Sequence, residues 1–319
     1  HMTDISITVH QDSIPKGADL IEAYETASEI AVIGTPLPEH NCDVMGCGSM
    51  CHVKYRFKKN KRSTQLGIQM IPIPIPAGSY DVWSGDNRRK IQLKRFAVSS
   101  TPITQRQFES VMGYNPSVFQ DGTKTENQPV ERMSVYGAIA FCNALSLAEG
   151  LPPFYKLVGN PHAPADLWAS KSCSPGYYSY RLPSADEWEA AARAGSKNDR
   201  YNDPDGCEYP IDEIAWYRRN TPSLSPQPVA RKKPNAWGLY DTLGNVFELA
   251  QLACDVVIDT PSMEQLNLDE ELWVLCGSCF FSRVEACTLS ARTYISDHIM
   301  RFEDTEGFRI CRYLPSECS

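Results

Sequence analysis

At 319 residues, 42% apolar and 22% charged, the chain has the length for one large domain or two ordinary ones with a sizeable buried core. A net charge of −8 argues against a broad nucleic-acid surface, which needs clustered cations; the one basic run, Lys58-Lys59-Asn60-Lys61-Arg62, reads as a solvated loop or strand edge. No apolar stretch approaches the ~20 residues a membrane-spanning helix needs, the length excludes a small secreted disulfide scaffold, and the twelve cysteines follow no repeat.

The leading His1-Met2 reads as a cloning remnant, so a processed signal or lipid anchor is expected to lie upstream of it. Residues 5–9 predict a short strand, 19–29 a helical stretch and 51–57 an alternating strand. Between them Cys42, Cys47 and Cys51, flanked by His40 and His52, offer zinc-type ligands but lack the paired spacing of zinc ribbons. Residues 1–70 are expected to form an N-terminal subdomain or decoration, set apart from 71–319. The boundary is the run Ile71-Pro72-Ile73-Pro74-Ile75-Pro76, extended or at a sheet edge because each proline removes a ladder donor.

Two helices follow. Ser134 is a good N-cap for one carrying Ala138, Phe141, Cys142 and Leu145 on one face and stopping at Gly150, and that face makes Cys142 a core residue. Ser184 with Glu187 is a capping box opening the second, which Gly195 should end. Residues 155–180 have no strong period and read as a long polar connection.

Six stretches in order carry a resemblance: Ile75-Pro76-Ala77-Gly78-Ser79-Tyr80; Thr101-Pro102-Ile103-Thr104-Gln105 with Phe108; Pro129-Val130 and Ser134, with 141–146; 181–191 (RLPSADEWEAA); 235–248 (NAWGLYDTLGNVFE); and Gly307-Phe308-Arg309. Together they resemble the formylglycine-generating (sulfatase-modifying factor) enzymes, a branch of the C-type lectin fold. The resemblance implies an α+β fold with few helices, a small twisted antiparallel sheet and much irregular loop held by Trp188, Trp237 and Phe308. It also implies pairing of the domain's first and last strands, which would bring residues 310–312 near its start.

The family's enzymes hold copper between two cysteines spaced C-x4-C, in a stretch resembling RGGS-aromatic-x-C-x4-C. Anchoring on Cys287 and Arg292 without gaps puts the first cysteine position at Ser282 and displaces the Gly-Ser lead-in onto Ser278 and Cys279. A hydroxyl cannot replace a thiolate for Cu(I). The chain is therefore expected not to be an enzyme, and Cys287 to be a packing residue. Cys276 and Cys279 lack the following helix that would depress a thiolate pKa, so a redox dithiol is disfavoured.

A lectin fold without its metal pair keeps binding as its task. One subclass, the variable proteins of diversity-generating retroelements, places a hypervariable segment at the end of such a fold, and residues 275–303 have that character. The candidate contact residues are Cys279, Phe280, Phe281, Ser282, Arg283, Tyr294, Ile295, Ser296, His298 and Phe302, since aromatics and arginine dominate binding hot spots; the alternative is a buried strand with Phe280 inward. Cys276 and Cys279 read as products of variation. Glu285, Met300 and Glu303 do not follow from randomised AAC codons and need fixed or lysine-type ones. The expectation is a lipid-anchored cell-surface protein that requires no cofactor and binds an unknown ligand, a protein on another cell or host, and not nucleic acid. The alternatives are a copper-dependent oxidase with an altered cysteine pair and a carbohydrate-binding lectin-like protein.

The resemblance also places Asn245, the Val246 carbonyl and Glu248 at calcium-binding positions, oxygen ligands suited to a hard cation. The competing reading is that Asn245 and Glu248 hydrogen-bond loop backbone.

Overall fold

A computed structural model describes residues 3–10, 22–23, 32–33, 35–36, 50–57, 63–84, 86–120, 125–149, 151, 154–158, 168–171, 178–203, 205–252, 273–295 and 304–315. In the first 57 residues β1 (Thr3–His10) pairs antiparallel with β5 (Met50–Phe57), which also pairs with β4 (Thr35–Pro36). Of the stretch 19–29 expected to be helical only Glu22–Ala23 is described, and it forms β2, paired with β3 (Val32–Ile33), so strand pairing overrides the local helical pattern at those two residues. Cys42 and Cys47 lie outside the described residues.

A three-stranded sheet joins β6 (Met70–Pro72), β9 (Phe96–Ser99) and β16 (Cys311–Tyr313) in the order β16-β9-β6. The proline run thus enters at an edge, as its missing donors require. Beyond it Ile73 and Ile75 are buried between exposed prolines. The first and last strands share this sheet but do not touch, because β9 lies between them. The hairpin β7 (Gly78–Ser84) and β8 (Asn87–Leu93) packs Val82, Ile91 and Leu93 onto the same core.

Helix α1 (Gln105–Met112) is closed by a Thr104–Gln107 capping box and a left-handed Gly113. In α2 (Val135–Ala148), Ser134 Oγ accepts the Gly137 N–H at 3.0 Å, and Ala138, Phe141, Cys142 and Leu145 are all buried. The stacked pair Phe108–Phe141 and the edge-on Phe308 centre this core. The supposedly structureless 155–180 contains a hairpin, β10 (Tyr155–Val158) with β11 (Trp168–Lys171). Helix α3 (Ala185–Arg193) has the Ser184–Glu187 capping box and ends at a left-handed Ala194, one residue before Gly195. A single turn, α4 (Ile211–Ile214), leads into long loops.

The last sheet runs β14-β13-β12-β15, from β12 (Phe247–Gln251), β13 (Trp273–Cys276), β14 (Arg292–Tyr294) and β15 (Glu306–Gly307). Four helices, small sheets and extensive loop among the described residues make this an α+β fold of the expected kind. No described helix is long and apolar enough to cross a membrane.

Candidate ligand-binding surface

The motif residues meet in one buried ion pair. Glu248 accepts from Trp188 Nε1 at 2.7 Å and from Arg309 through both carboxylate oxygens at 2.5 and 2.8 Å. Arg309 also donates to the carbonyls of Ser99 and Tyr240. Three of the recognisable stretches, 181–191, 235–248 and 307–309, therefore supply one residue each to a single internal clamp, with Trp188, Glu248 and Arg309 all at most 2% exposed. A second buried pair, Arg181–Glu187, uses the capping-box carboxylate again.

In this geometry Asn245 and Glu248, two of the expected cation ligands with the Val246 carbonyl, have internal partners. Both Glu248 oxygens face a guanidinium, whose charge repels a divalent cation. Asn245 Oδ1 accepts from the Gln227 N–H, and its Nδ2 donates to Gln227 O and Asp241. The Val246 carbonyl is left without the two side chains that were to complete a coordination shell. The donor set fits internal hydrogen bonding and does not fit calcium.

The clamp supports the segment that follows β13. Gly277 has φ +76, and a Cβ there would meet the Trp188 ring and Thr242 O at 3.2 Å. Ser278 is buried, its Oγ accepting the Gly244 N–H at 2.8 Å. Gly244 is equally constrained, for a Cβ would lie 2.2 Å from Trp216 O. Gly277-Ser278 is a fixed, buried Gly-Ser turn, and taking it as the family's lead-in gives a second register, with one extra residue before Cys287, beside the ungapped count. Counted forward from this lead-in, the two family cysteine positions fall on Phe281 and Ala286; counted back from Cys287, they fall on Ser282 and Cys287. Neither register supplies two thiols.

Cys276 ends β13 inside the core, and Cys287 is fully buried in the same cluster as Leu289 and Tyr217, so both pack as interior structure. Cys279 is 3% exposed, with its backbone N–H bonded to Ser282 Oγ at 3.0 Å. Burial pushes both the Cys279 and Cys287 thiols up from their ordinary pKa, against opposing hydrogen bonds from Ser282 and Ser278 respectively.

The expected contact residues divide sharply. Cys279, Phe280 and Ile295 point inward, which removes them as contact side chains: Phe280 meets the edge of Phe119 at 5.5 Å, and Ile295 joins the α1–α2 core. Phe281 is 50% exposed, Tyr294 57%, and Arg283 is exposed with Ser282 half-buried beside it. Ser296, His298 and Phe302 lie outside the described residues. The structure adds exposed Thr293 on β14 and, from elsewhere in the chain, Arg218, whose guanidinium lies 5.0 Å over the Phe281 ring. Arg218 also donates its N–H to Ser282 O at 3.0 Å. Nothing local in the sequence around Arg218 marks it, since it is brought there by the loop after α4.

Comparison with known proteins follows this geometry. Residues 57–314 match the family model for the sulfatase-modifying factor enzyme 1-like domain. Among curated relatives, the chaperone protein LppX of Paenibacillus barcinonensis is 34% identical over 182 residues, covering 50% of this chain and 63% of its own length. Serine/threonine-protein kinase Pkn1 of Chlamydia trachomatis is 28% identical over 187 residues, covering 56% and 27%. The matches thus span less than two thirds of either relative. Among solved structures, Treponema denticola variable protein 1 superposes with a TM-score of 0.60 at 25% identity, covering 88% of this chain and all of that one. CarF gives 0.55 at 24% identity over 78% of this chain and all of its own. PvdO from Pseudomonas aeruginosa gives 0.51 at 20% over 81% and 97%. The fold is the C-type lectin fold of the formylglycine-generating-enzyme type.

Proposed function

Since the chain belongs to the sulfatase-modifying factor enzyme 1-like family, we propose that it keeps the family's fold as a scaffold and uses the segment after β13 to bind a ligand, without catalysis. The observation that carries this is the split within 277–295. Its inward residues are packed against the Trp188 ring, Phe119 and Asn245, while Phe281, Arg283, Thr293 and Tyr294 are exposed above that floor. A framework that tolerates change at exposed positions, and only there, is what a diversified binding segment requires, and likeness to a variable protein at 25% identity supports it. The ligand is a protein on another cell or host, met by a surface-anchored form of this chain.

The decisive test is genetic. A near-identical template repeat that differs from the coding segment only at adenines, beside a reverse transcriptase gene, is expected; changes confined to codons 281–283 and 293–303 support the reading, and lack of any template removes it.

The family's enzymes favour one competing reading, a copper-dependent oxidase. Copper would supply oxygen activation through paired thiolates, and Cys279 with Cys287 are the thiols this segment would offer. Both are buried thiols with raised pKa, eight residues apart. Tight uptake of one Cu(I) by the purified chain, lost in Cys287→Ser, together with oxidation of a sulfatase-type cysteine peptide, would establish that reading and displace ours.

A further inference from the structure

Three loops that meet around Phe280 differ in character from the rest of the molecule: residues 113–120, 216–229 and 277–291. The Phe119 ring contacts Phe280. The Arg218 N–H bonds Ser282 O. At the other end of the same loop, Asn245 ties Gln227 to Phe280, accepting the Gln227 N–H through its side chain and the Phe280 N–H through its backbone carbonyl. Each loop presents one exposed apolar side chain, Val118 at 47%, Leu224 at 38% and Phe281 at 50%, three of the five such large side chains among the described residues. Leu224 follows Ser223, and both hold left-handed backbone (φ 45 and 55), which L side chains avoid unless the surroundings impose it.

The charge of these three loops is reversed relative to the chain. Against a net charge of −8, the three loops carry Arg218, Arg219 and Arg283 and one carboxylate, Glu285. Among the described residues none of these arginines has a carboxylate within ion-pair distance, and Arg218 rests on the Phe281 ring. Arginines left unpaired next to exposed apolar groups are the pattern of a binding hot spot and not of a solvated surface.

Building on the reading of 277–295 as a contact segment, we propose that the ligand is an acidic, apolar-containing segment of a partner protein, seated across all three loops. Its carboxylates meet Arg218 and Arg283, and its apolar side chains meet Val118, Leu224 and Phe281. A long polyanion is disfavoured, because the negative charge of the surrounding protein repels it and a phosphate backbone has nothing to place on the three apolar groups. Two of the three loops lie outside the diversified segment, so every sequence variant shares the contacts of Val118, Arg218 and Leu224, while those of Phe281 and Arg283 belong to this variant.

The test is selection of a displayed random 12-residue peptide library on the immobilised full chain and on Arg218→Glu/Arg283→Glu. The expected result is enrichment of Asp- and Glu-containing peptides with apolar residues on the wild type, and at least a tenfold loss or a reversal to Lys- and Arg-rich peptides on the variant. Arg218→Gln/Arg283→Gln serves if the charge reversal unfolds the chain, which circular dichroism reports. Enriched peptides without acidic bias, a bias untouched by either variant, or no enrichment overturn the proposal. Arginine-dependent binding of a dT12 oligonucleotide or phosphatidylglycerol vesicles without acidic peptides also overturns it. Acidic peptides that survive Thr293→Ala/Tyr294→Ala leave this inference standing and count against the diversified-segment reading; unbiased peptides lost in that variant do the reverse.

Discussion

The floor and the rim of the 273–295 segment share one stretch of chain and have opposite physical duties. The floor, Cys276 to Phe280 with Cys287 and Leu289, is packed against Trp188, Tyr217 and Phe119 and tied to the Glu248–Arg309 pair. The rim side chains, Phe281, Arg283, Thr293 and Tyr294, are exposed, and Phe281 meets Arg218 of a neighbouring loop. The difference teaches that residue type alone does not identify a contact residue: two adjacent phenylalanines point in opposite directions, and one belongs to the core. Substitutions should respect that division, and each of the following tests it.

The largest effect is expected from Glu248→Ala, which leaves Arg309 charged, buried and unpaired; a stability loss of about 3–5 kcal/mol in urea unfolding is expected. A loss below about 1 kcal/mol would show that the floor does not depend on the clamp. Next comes Gly277→Ala, which places a Cβ at a positive φ against the Trp188 ring. A loss of about 1–3 kcal/mol is expected, visible in the urea midpoint and in Trp fluorescence.

A smaller effect is a pH dependence acting on the floor through Glu131. Its Oε1 accepts the Phe119 N–H at 2.9 Å, and Phe119 carries Phe280. Burial raises the Glu131 pKa to about 7, with Asp304 adding to the rise and the N–H groups of Phe119 and Val118 and the Ser117 side chain opposing it. A carboxyl whose folded pKa exceeds its unfolded one holds more protons when folded. Its contribution is complete below the ordinary 4.5 and is lost as pH rises through about 7. Urea midpoints should therefore fall from pH 5 to pH 8. Glu131→Gln keeps an acceptor for Phe119 and should flatten part of that slope; Asp241, raised by burial to about 6, retains the remainder. An unchanged slope would disconnect Glu131 from the floor.

The smallest stability effect belongs to the rim. Phe281→Ser with Tyr294→Ser is expected to change stability by no more than about 1 kcal/mol, because both side chains are half-exposed and the Arg218 contact is a surface one. Loss of several kcal/mol in urea unfolding would make the rim structural.

The local features were legible in the chain. Ser184 and Glu187 cap α3, Ser134 opens α2, and the proline run lies at a sheet edge, because each of these depends on residues a few positions apart. The hairpin over 155–171 was not legible, since its stability comes from cross-strand pairing that leaves a weak period. Asn245 and Glu248 carry the right oxygens for a cation, and only the position of Arg309, 61 residues further on, shows that the carboxylate is already engaged.

The sequence by itself determined the family, helices α2 and α3 with the serines that open them, and the absence of a C-x4-C pair within 275–292. The order of short motifs, local hydrogen-bond chemistry and residue identity are all written along the chain. The tertiary structure alone decided which of the candidate contact residues face outward, and which unmarked residues, Val118, Arg218 and Leu224 among them, stand beside them. Those facts depend on how three distant loops meet around Phe280.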